Sequence, residues 1–292
     1  MKKPKRKHLE KRKIRVFPII LALFALAVGI ILIDSNTRLT TAVFELRYPN
    51  LPDAFEGFRI VVLSDIHAAV YGDDNERLIS KVREAEPDII AITGDLIDKH
   101  RNLSAEAQLQ IAGTLAEGLA GIAPVYFVTG NHDWNSGVLR QLISDLEERG
   151  VRVLRNRYSQ LFRDGDSIIL AGTDDPNGAA DMIKPAELVA RIYETEDPGF
   201  IVMLEHRNNN LRLYNEPGVD LVLCGHAHGG LIRLPFTDGL VGPQRDWFPT
   251  YTNGVYAIGG TNMIVSRGIG NHTGVPRFLN NPQIVVAVLR KI

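Results

Sequence analysis

Short apolar runs recur along the chain and predict strands that are buried on both faces. The runs occupy residues 60–63, 89–92, 125–128, 168–171, 200–204 and 221–223. Amphipathic stretches between the early runs predict helices near residues 75–86, 104–119 and 136–149. Strand, helix and strand at this spacing form βαβ units, and such units build a parallel sheet.

The chain after Gly229 has a different pattern. Helical periodicity ends there, and residues 255–258, 263–266 and 284–289 predict strands joined by turns rich in glycine and proline. We therefore predict an α/β fold with a single domain over residues 58–292. In this fold two packed sheets form a sandwich that is flanked by helices.

The N-terminal region predicts a transmembrane anchor. Residues 16–33 are eighteen consecutive uncharged residues, and a helix of that length spans about 27 Å, close to the thickness of a bilayer core. Nine lysine and arginine residues lie within residues 1–15, and such a basic flank stays in the cytoplasm. We therefore expect a single-pass protein of the cell membrane with a cytoplasmic N-terminus and an extracytoplasmic domain. A cleaved signal peptide is the alternative, with a weak cleavage site at residues 40–42.

Residues 34–57 predict a linker between the anchor and the domain. Pro49, Pro52 and Gly57 punctuate its end. Within this segment, residues 43–48 alternate between apolar and polar side chains like an edge strand.

The composition is that of a globular protein, with 45% hydrophobic and 23% charged residues. The formal net charge of −1 conceals an asymmetry, because residues after position 15 include 24 basic and 33 acidic ones and carry a net charge of −9. A domain this acidic is not expected to bind nucleic acid, since that affinity comes mainly from lysine and arginine. The single cysteine, Cys224, excludes an internal disulfide framework.

Metal-ligating residue types follow the ends of five predicted strands. The carboxyl ends of strands in an open α/β sheet line one crevice, so these distant segments are expected to meet. Aspartate, histidine and asparagine together suit Mn, Fe or Zn, and the lack of a cysteine cluster argues against a structural zinc site. Two ions need a shared anionic bridge, for which Asp95 is the best candidate. The candidate ligands are Asp65, His67, Asp95, Asn131, His206, His226 and His228.

Each of these motifs has an ordinary structural explanation when it is taken alone. Asp65 or Asp95 could cap the loop that follows a strand. His206 could be a hydrogen-bonded core histidine, and residues 131–133 could be a plain turn. All of the motifs in this order, each at the end of a separate apolar run, favour a metal centre instead.

The order of motifs D-x-H, G-D, G-N-H-D, H and G-H-x-H resembles that of the calcineurin-like metallophosphoesterase superfamily. The resemblance covers about residues 58–292, and its last segments are similar to a membrane-attached bacterial branch related to UDP-2,3-diacylglucosamine hydrolases. It implies two divalent metal ions. The first ion would be held by Asp65, His67, Asp95 and His228, and the second by Asp95, Asn131, His206 and His226.

The resemblance also implies a hydrolase that acts on phosphate esters or pyrophosphates through a hydroxide held by the two ions. We expect the substrate to be a phosphorylated small molecule or lipid related to the envelope. His132 would stabilise phosphoryl charge or protonate the leaving group. Asp133 would orient His132 through its other ring nitrogen, or it would simply be a turn residue.

Two departures from the family pattern bear on substrate fit. A proline-containing segment commonly follows the fourth-motif histidine, whereas Arg207 and residues 208–210, all asparagine, follow it here. Leu231 stands where glutamine is frequent. The stretch 231–256 either grips a lipid or sugar or packs against its own core, and its notable residues are Arg233, Phe236, Arg245, Trp247, Phe248 and Tyr251.

Two other functions remain open. A UDP-2,3-diacylglucosamine-type pyrophosphate hydrolase would need a site that faces the cytoplasm, which conflicts with the topology inferred from residues 1–15. A non-catalytic protein-binding scaffold on the same fold would have lost its chemistry, against which the complete ligand set and His132 argue.

Overall fold

The computed structural model describes residues 16–178, 182–214, 218–235, 237–243, 246–271 and 274–292. In chain order its elements are α1 (Val16–Thr37), β1 (Thr40–Tyr48), β2 (Arg59–Leu63), α2 (Glu76–Glu84), β3 (Ile89–Thr93), α3 (Ala105–Ala120), β4 (Val125–Val128), α4 (Asn131–Asn135), α5 (Leu139–Glu148), β5 (Arg152–Val153), β6 (Arg157–Arg163), β7 (Asp166–Gly172), α6 (Pro185–Thr195), β8 (Ile201–Leu204), α7 (Leu211–Tyr214), β9 (Leu221–Cys224), β10 (Ile232–Arg233), β11 (Gly239–Val241), β12 (Gly254–Ile258), β13 (Thr261–Val265) and β14 (Gln283–Lys291).

The strands form two six-stranded sheets and one short hairpin. The first sheet has the order β1-β14-β2-β3-β4-β5, and the second has the order β12-β13-β9-β8-β7-β6. In the first sheet β2 to β5 are parallel, and β14 runs antiparallel to β2. In the second sheet β7, β8, β9 and β13 are parallel. The hairpin of β10 and β11 follows the strand β9 that carries the last predicted ligands.

The predicted sandwich of two sheets flanked by helices is confirmed. One apolar cluster lies between the sheets and combines residues such as Val62 and Leu170 from their facing surfaces. A second cluster joins the outer face of the first sheet to α2, α3 and α5. A third joins the outer face of the second sheet to α6 and α7. The strands of the core are nearly continuous apolar runs because both of their faces are covered.

The local signals at helix ends explain where two of these helices begin and end. The Ser104 side chain accepts a hydrogen bond of 3.2 Å from the backbone N–H of Ala107, which satisfies a free donor at the start of α3. Gly150 follows α5 with a φ of 83°, a conformation that glycine adopts without strain. The helix α6 was not predicted from the sequence.

The predicted linker, residues 34–57, requires a correction. Its residues 40–48 form β1, which pairs in parallel with β14 along the whole strand, from Thr40 beside Gln283 to Tyr48 beside Lys291. The folded domain therefore includes residues before position 58. The alternating pattern was seen because β1 is an edge strand with every second position more exposed. Its partner lies more than 240 residues away, so the pattern could not reveal the pairing.

The first helix, α1, is long and apolar enough to cross a membrane. Its most apolar window has a mean hydropathy of 3.1, and none of that window is buried against the domain. Its last turn, in contrast, contacts the domain through Asn36, whose side chain bonds both the backbone N–H and the carbonyl of Arg277. The predicted basic flank, residues 1–15, lies outside the described residues.

Candidate metal centre

The seven predicted metal ligands converge at one edge of the sandwich. Five strands, β2, β3, β4, β8 and β9, end at this edge, and the ligands lie in the loops that follow them or, for Asn131, at the start of α4. Three groups of side chains have potential ligand atoms within 4.8 Å of one another. The groups are Asp65, His67 and His228; His67, Asp95 and His132; and Asp95, His206 and His226.

The first half of the centre is formed by two histidines and one carboxylate. The Nε2 atoms of His67 and His228 lie 3.2 Å apart. Nε2 of His228 is also 3.4 Å from Oδ1 of Asp65. All three side chains are buried, so their polar atoms face one another rather than solvent.

The second half surrounds the ring of His206. Its Nε2 lies 3.1 Å from Oδ1 of Asn131, 3.1 Å from Nδ1 of His226 and 3.1 Å from Oδ2 of Asp95. The opposite nitrogen, Nδ1, donates a 2.9 Å hydrogen bond to the carbonyl of Thr93. That bond leaves Nε2 directed at the centre, which is the orientation of a metal-bound histidine.

Asp95 lies between the two halves. Its Oδ2 is 3.1 Å from Nε2 of His206 on one side and 3.8 Å from Nε2 of His67 on the other. Its Oδ1 accepts a 2.7 Å hydrogen bond from the backbone N–H of His132. One carboxylate oxygen thus faces ligands of both halves, the position that a bridging ligand takes between two ions.

The spacing of the donor atoms fits divalent cations. Atoms bound to one ion at about 2.1 Å lie roughly 3.0 to 3.4 Å apart in octahedral or tetrahedral coordination. The separations around His206 and the pair formed by His67 and His228 fall in that range. Lone pairs of several acceptors that point at one another are stabilised by a cation in their midst. The mixture of imidazole, carboxylate and amide suits Mn, Fe or Zn.

The backbone at these strand ends is bent into the left-handed region. Non-glycine residues adopt it at an energetic cost, and such strain concentrates at functional sites. Gly94 shows how close the approach is, because a Cβ there would lie 2.7 Å from the Gly130 nitrogen and 2.7 Å from Nδ1 of His206. Five of the predicted ligands have positive φ: Asp65 (50°), His67 (48°), Asp95 (53°), His226 (67°) and His228 (48°).

Burial and charge perturb the ionisation of the centre. Burial raises the pKa of Asp65 to about 6. Burial lowers the pKa of His206, but the neighbouring Asp95 carboxylate outweighs burial and raises it to about 10. Burial and the positive neighbours His206 and Arg207 hold the pKa of His226 well below its ordinary value. The carboxylates therefore favour positive charge at the centre, and His226 remains a neutral donor.

His132 is oriented by Asp98, a residue that the sequence analysis missed. The Nδ1–H of His132 donates a 2.8 Å hydrogen bond to Oδ1 of Asp98, and Oδ2 of the same carboxylate lies 3.7 Å from Nδ1 of His67. Burial opposes ionisation of Asp98, but the hydrogen bond from His132 outweighs it and lowers the pKa of Asp98 to about 2. Burial lowers the pKa of His132, and Asp98 outweighs burial so that the pKa is raised. The sequence could have indicated Asp98 as a candidate site residue, because it follows Asp95 by three residues in the same strand-end loop.

The prediction that Asp133 orients His132 is wrong. The Asp133 carboxylate instead accepts hydrogen bonds from backbone N–H groups in two strand-end loops, and the residue itself lies in the short helix α4 rather than in a plain turn. Neighbours on the short helix α4 point in different directions, so sequence adjacency to His132 did not imply contact. Burial, followed by the charge of Asp95, raises the pKa of Asp133 to about 7. The donors are Asp95 (2.8 Å), Leu96 (2.9 Å), Ile97 (3.1 Å) and Gly130 (2.8 Å).

Arg207 lies at the open side of the centre, next to His226. Its Nη1 is 3.4 Å from Nε2 of His226, and its Nε and Nη2 donate hydrogen bonds of 2.6 and 3.1 Å to the buried carboxylate of Asp175. A cavity of about 160 Å³ begins here, and Pro243, Asp246, Pro249 and Thr250 also line it. This pairing places a positive charge at the edge of the centre, where an anionic substrate would approach.

The aromatic stretch after β9 divides into two kinds of contact. Tyr251 packs edge-on against Tyr256 at 4.9 Å and belongs to the core of the second sheet. Trp247 and Phe248 are each 71% exposed and lie in the segment that borders the cavity beside Arg207. Phe236 and Arg245, which were part of the same prediction, lie outside the described residues.

The chain is similar to known proteins in both sequence and fold. The family profile described as calcineurin-like phosphoesterase matches residues 58–230. YkuE of Bacillus subtilis (strain 168), named an uncharacterized metallophosphoesterase, is 32% identical over 246 residues, which cover 82% of this chain and 82% of YkuE. Phosphodiesterase YaeI of Escherichia coli (strain K12) is 28% identical over 236 residues, which cover 80% of this chain and 82% of YaeI.

A relative from a vertebrate is similar as well. The transmembrane protein with metallophosphoesterase domain of Danio rerio is 31% identical over 268 residues, which cover 85% of this chain and 56% of that protein. Among solved structures, the NAD nucleotidase NadN of Haemophilus influenzae aligns with a TM-score of 0.48 and 13% identity over 72% of this chain and 45% of its own. A structural likeness this distant carries no argument about the site.

Proposed function

Because the chain belongs to the calcineurin-like phosphoesterase family, we propose that it is a membrane-anchored, metal-dependent hydrolase of phosphate esters or pyrophosphates. The observation that carries this proposal is the convergence of ligand atoms from five strand ends at separations that suit two divalent ions. Family membership supports the reaction class, and the apolar helix α1 supports the anchor.

We assign the ligands of the two ions from the two halves of the centre. Asp65, His67 and His228 would hold the first ion, and Asn131, His206 and His226 would hold the second. Asp95 would be shared by both ions, which its contacts with His67 and His206 support.

When bound, two such ions lower the pKa of a water molecule and neutralise phosphoryl oxygens. The chain's own residues complete the chemistry. His132 holds a proton that Asp98 stabilises on the imidazole ring, and it delivers this proton to the leaving oxygen. Arg207, held in place by Asp175, attracts a phosphoryl oxygen at the rim.

The substrate class follows from the surroundings of the site. A helix that inserts in a bilayer keeps the domain close to membrane lipids. Trp247 and Phe248 are exposed and stand in the chain between Asp246 and Pro249, which line the cavity at Arg207, and exposed aromatic side chains suit the apolar part of a lipid. We therefore propose a phosphorylated lipid or another envelope component as the substrate, with the domain on the extracytoplasmic side.

The test uses the full-length protein purified in detergent and loaded with Mn, Fe or Zn. Phosphate monoesters, phosphodiesters and lipid pyrophosphates, including UDP-2,3-diacylglucosamine, are assayed in parallel. The variant Asp95→Asn is compared with Asp164→Asn, which removes an exposed carboxylate from the β6–β7 turn. We expect hydrolysis and bound metal to be lost only in Asp95→Asn. A metal-loaded protein that hydrolyses no member of the panel would favour the non-catalytic scaffold.

Membrane attachment and orientation are tested separately. We expect the full chain in the membrane fraction and a variant that lacks residues 1–33 in solution. The truncation keeps Asn36 and its contacts with Arg277, so the domain should stay folded. A reporter fused to the C-terminus should be active only outside the cytoplasm. A cytoplasmic reporter signal would favour the hydrolase whose site faces the cytoplasm, and a soluble full chain with a shortened N-terminus would favour a cleaved signal peptide.

A further inference from the structure

A cavity of about 380 Å³ lies where the last turn of α1 meets the domain. Asn36 and Thr37 of that turn form one wall, and the loop of residues 69–72, which follows His67, forms another. Three arginines line the cavity, and its lining within the described residues includes no aspartate or glutamate. The chemistry of this cavity is thus opposite to that of the carboxylate-rich metal centre.

The arginines of the cavity are Arg77, Arg101 and Arg277. None of them has a carboxylate oxygen within 4.0 Å in the part of the chain that the structure describes. All three lie close enough to Tyr71 to act on its ionisation. Burial raises the pKa of Tyr71, and the positive charges of the three arginines act to lower it. The acidic residues near Arg77 and Arg101 in sequence, at positions 73, 74, 76 and 98, do not line the cavity. Three cations thus share a concave site without an anion.

Of the three arginines, Arg277 gives the strongest reason to expect a bound anion. It is only 1% exposed, and its guanidinium donates hydrogen bonds to the carbonyls of Arg267 (2.9 Å) and Gly270 (2.7 Å). Its buried Nε has no hydrogen-bond partner within the described residues. The Asp65 carboxylate acts on this guanidinium only from beyond 4.0 Å and offsets the cost of the buried charge in part, so an anion in the cavity would reduce that cost further.

The position of the cavity indicates where such an anion comes from. It begins at the end of α1, four residues beyond the apolar stretch 16–33, and therefore at the level where the helix leaves a bilayer. Val70, on the cavity wall, is 47% exposed and places an apolar side chain at the same level. Cations within the cavity and apolar surface at its rim match a lipid head group and the start of its acyl chains.

We propose that this cavity binds the phosphate of an anionic lipid from the bilayer in which α1 is inserted. Guanidinium groups match phosphate through paired N–H donors, and three of them can satisfy several phosphate oxygens at once. The inference rests on the proposed insertion of α1 in a membrane, but it does not depend on hydrolysis at the metal centre.

The bound lipid also contacts a residue that supports the metal centre. Asn36 holds the backbone of Arg277, and Nη2 of Arg277 lies 3.3 Å from Nδ1 of His228. The head-group site and the metal centre therefore share one wall.

The test measures binding of soluble lipid analogues to the full chain in neutral detergent. Dihexanoyl phosphatidic acid, dihexanoyl phosphatidylcholine and inorganic phosphate are titrated by calorimetry in the presence of a chelator. The chelator removes metal-dependent phosphate binding, because the carboxylates of an ion-free centre repel phosphate. We expect phosphatidic acid to bind at least about 10-fold more tightly than either of the other two probes.

The variant Arg77→Gln/Arg101→Gln should weaken the binding of phosphatidic acid by about 10- to 100-fold, because two charge-assisted contacts are lost. The control Arg83→Gln/Arg140→Gln removes the same charge from exposed positions of α2 and α5 outside the cavity. It should bind like the unaltered chain.

Three outcomes would overturn the proposal. The first is that Arg77→Gln/Arg101→Gln binds phosphatidic acid as tightly as the unaltered chain. The second is that the control variant loses as much affinity as Arg77→Gln/Arg101→Gln. The third is that inorganic phosphate binds as tightly as the lipid. The last outcome would identify a site for free anions. Failure of the proposed function is distinguishable, since it appears as absent hydrolysis with lipid binding intact.

Discussion

The two sheets contribute to the metal centre in different ways. The first sheet supplies Asp65, His67, Asp95 and Asn131, and backbone hydrogen bonds to the buried Asp133 fasten the loops that lead to Asp95 and Asn131. The second sheet supplies only imidazole groups among the proposed ligands. Their surroundings are charged side chains, including Arg207 beside His226.

The two sheets therefore differ in how rigidly they hold their side chains at the metal centre. Backbone N–H groups bound to a buried carboxylate fix a loop independently of neighbouring side chains, so the first sheet holds the anionic ligands in place. Side-chain pairs such as Arg207 with Asp175 hold the rim on the second sheet, where Arg207 is partly exposed. We therefore expect changes at Asp95 and Asp133 of the first sheet to remove metal or stability, and changes at Arg207, at the rim of the second sheet, to alter substrate binding.

The largest expected effect is at the bridge between the sheets. Asp95→Ala should lower turnover by about 10⁴-fold or more, because it removes the carboxylate shared by both ions. Asn131→Ala should abolish hydrolysis as well. Metal content by mass spectrometry and turnover of the same samples provide the measurement, with circular dichroism to check the fold. Near-normal turnover of Asp95→Ala with metal present would eliminate the two-ion mechanism.

The second effect separates the use of metal from its binding. His132→Ala should retain both ions but lose roughly 10²- to 10⁴-fold in kcat on substrates with alkoxide leaving groups. An alkoxide needs a proton to leave, whereas p-nitrophenolate leaves unaided, so p-nitrophenyl esters should be affected much less. An equal loss on both substrate classes would mean that His132 stabilises phosphoryl oxygens. No loss on either would show that the assigned role is wrong.

The third effect contrasts two buried aspartates of the first sheet. Asp133→Ala leaves several buried backbone N–H groups without an acceptor and should lower the free energy of unfolding by about 2 to 4 kcal/mol. Asp98→Asn should instead preserve most stability and lower kcat by roughly 10- to 100-fold, because His132 loses its orienting carboxylate. Urea unfolding and steady-state kinetics of both variants are the measurements. Equal stability of the two variants would contradict the different roles of the two carboxylates.

The smallest effect is expected at the rim on the second sheet. Arg207→Gln should raise KM about 3- to 10-fold with little change in kcat, since the guanidinium attracts substrate without contacting the leaving group. Arg212→Gln, an exposed substitution on α7, is the matched control. A fall in kcat at unchanged KM would place Arg207 in the reaction itself and remove the contrast between the sheets.

Features that depend on short stretches of sequence could be predicted. The buried strands are apolar because both faces are covered, so strands such as β3 and β4 could be recognised from their own residues. Each ligand follows a strand directly, and the geometry of parallel strands brings those ends together. For that reason His206 and the pair His226 and His228 could be assigned to one site before any coordinates.

Features that depend on contacts between distant segments required the tertiary structure. The sequence predicts a linker at the position of β1, because the partner strand β14 is at the other end of the chain. Asp98 and Asp133 are both aspartates near a ligand, and only the folded loops show that one bonds a histidine ring and the other bonds backbone. Likewise, the sequence alone gives no reason to expect that an arginine is buried. Arg277 is buried only because the chain around it packs against the last turn of α1 and the neighbouring loops. Hydrophobic patterning is local and specifies the strands, whereas side-chain partners and cavities are decided by which distant segments meet.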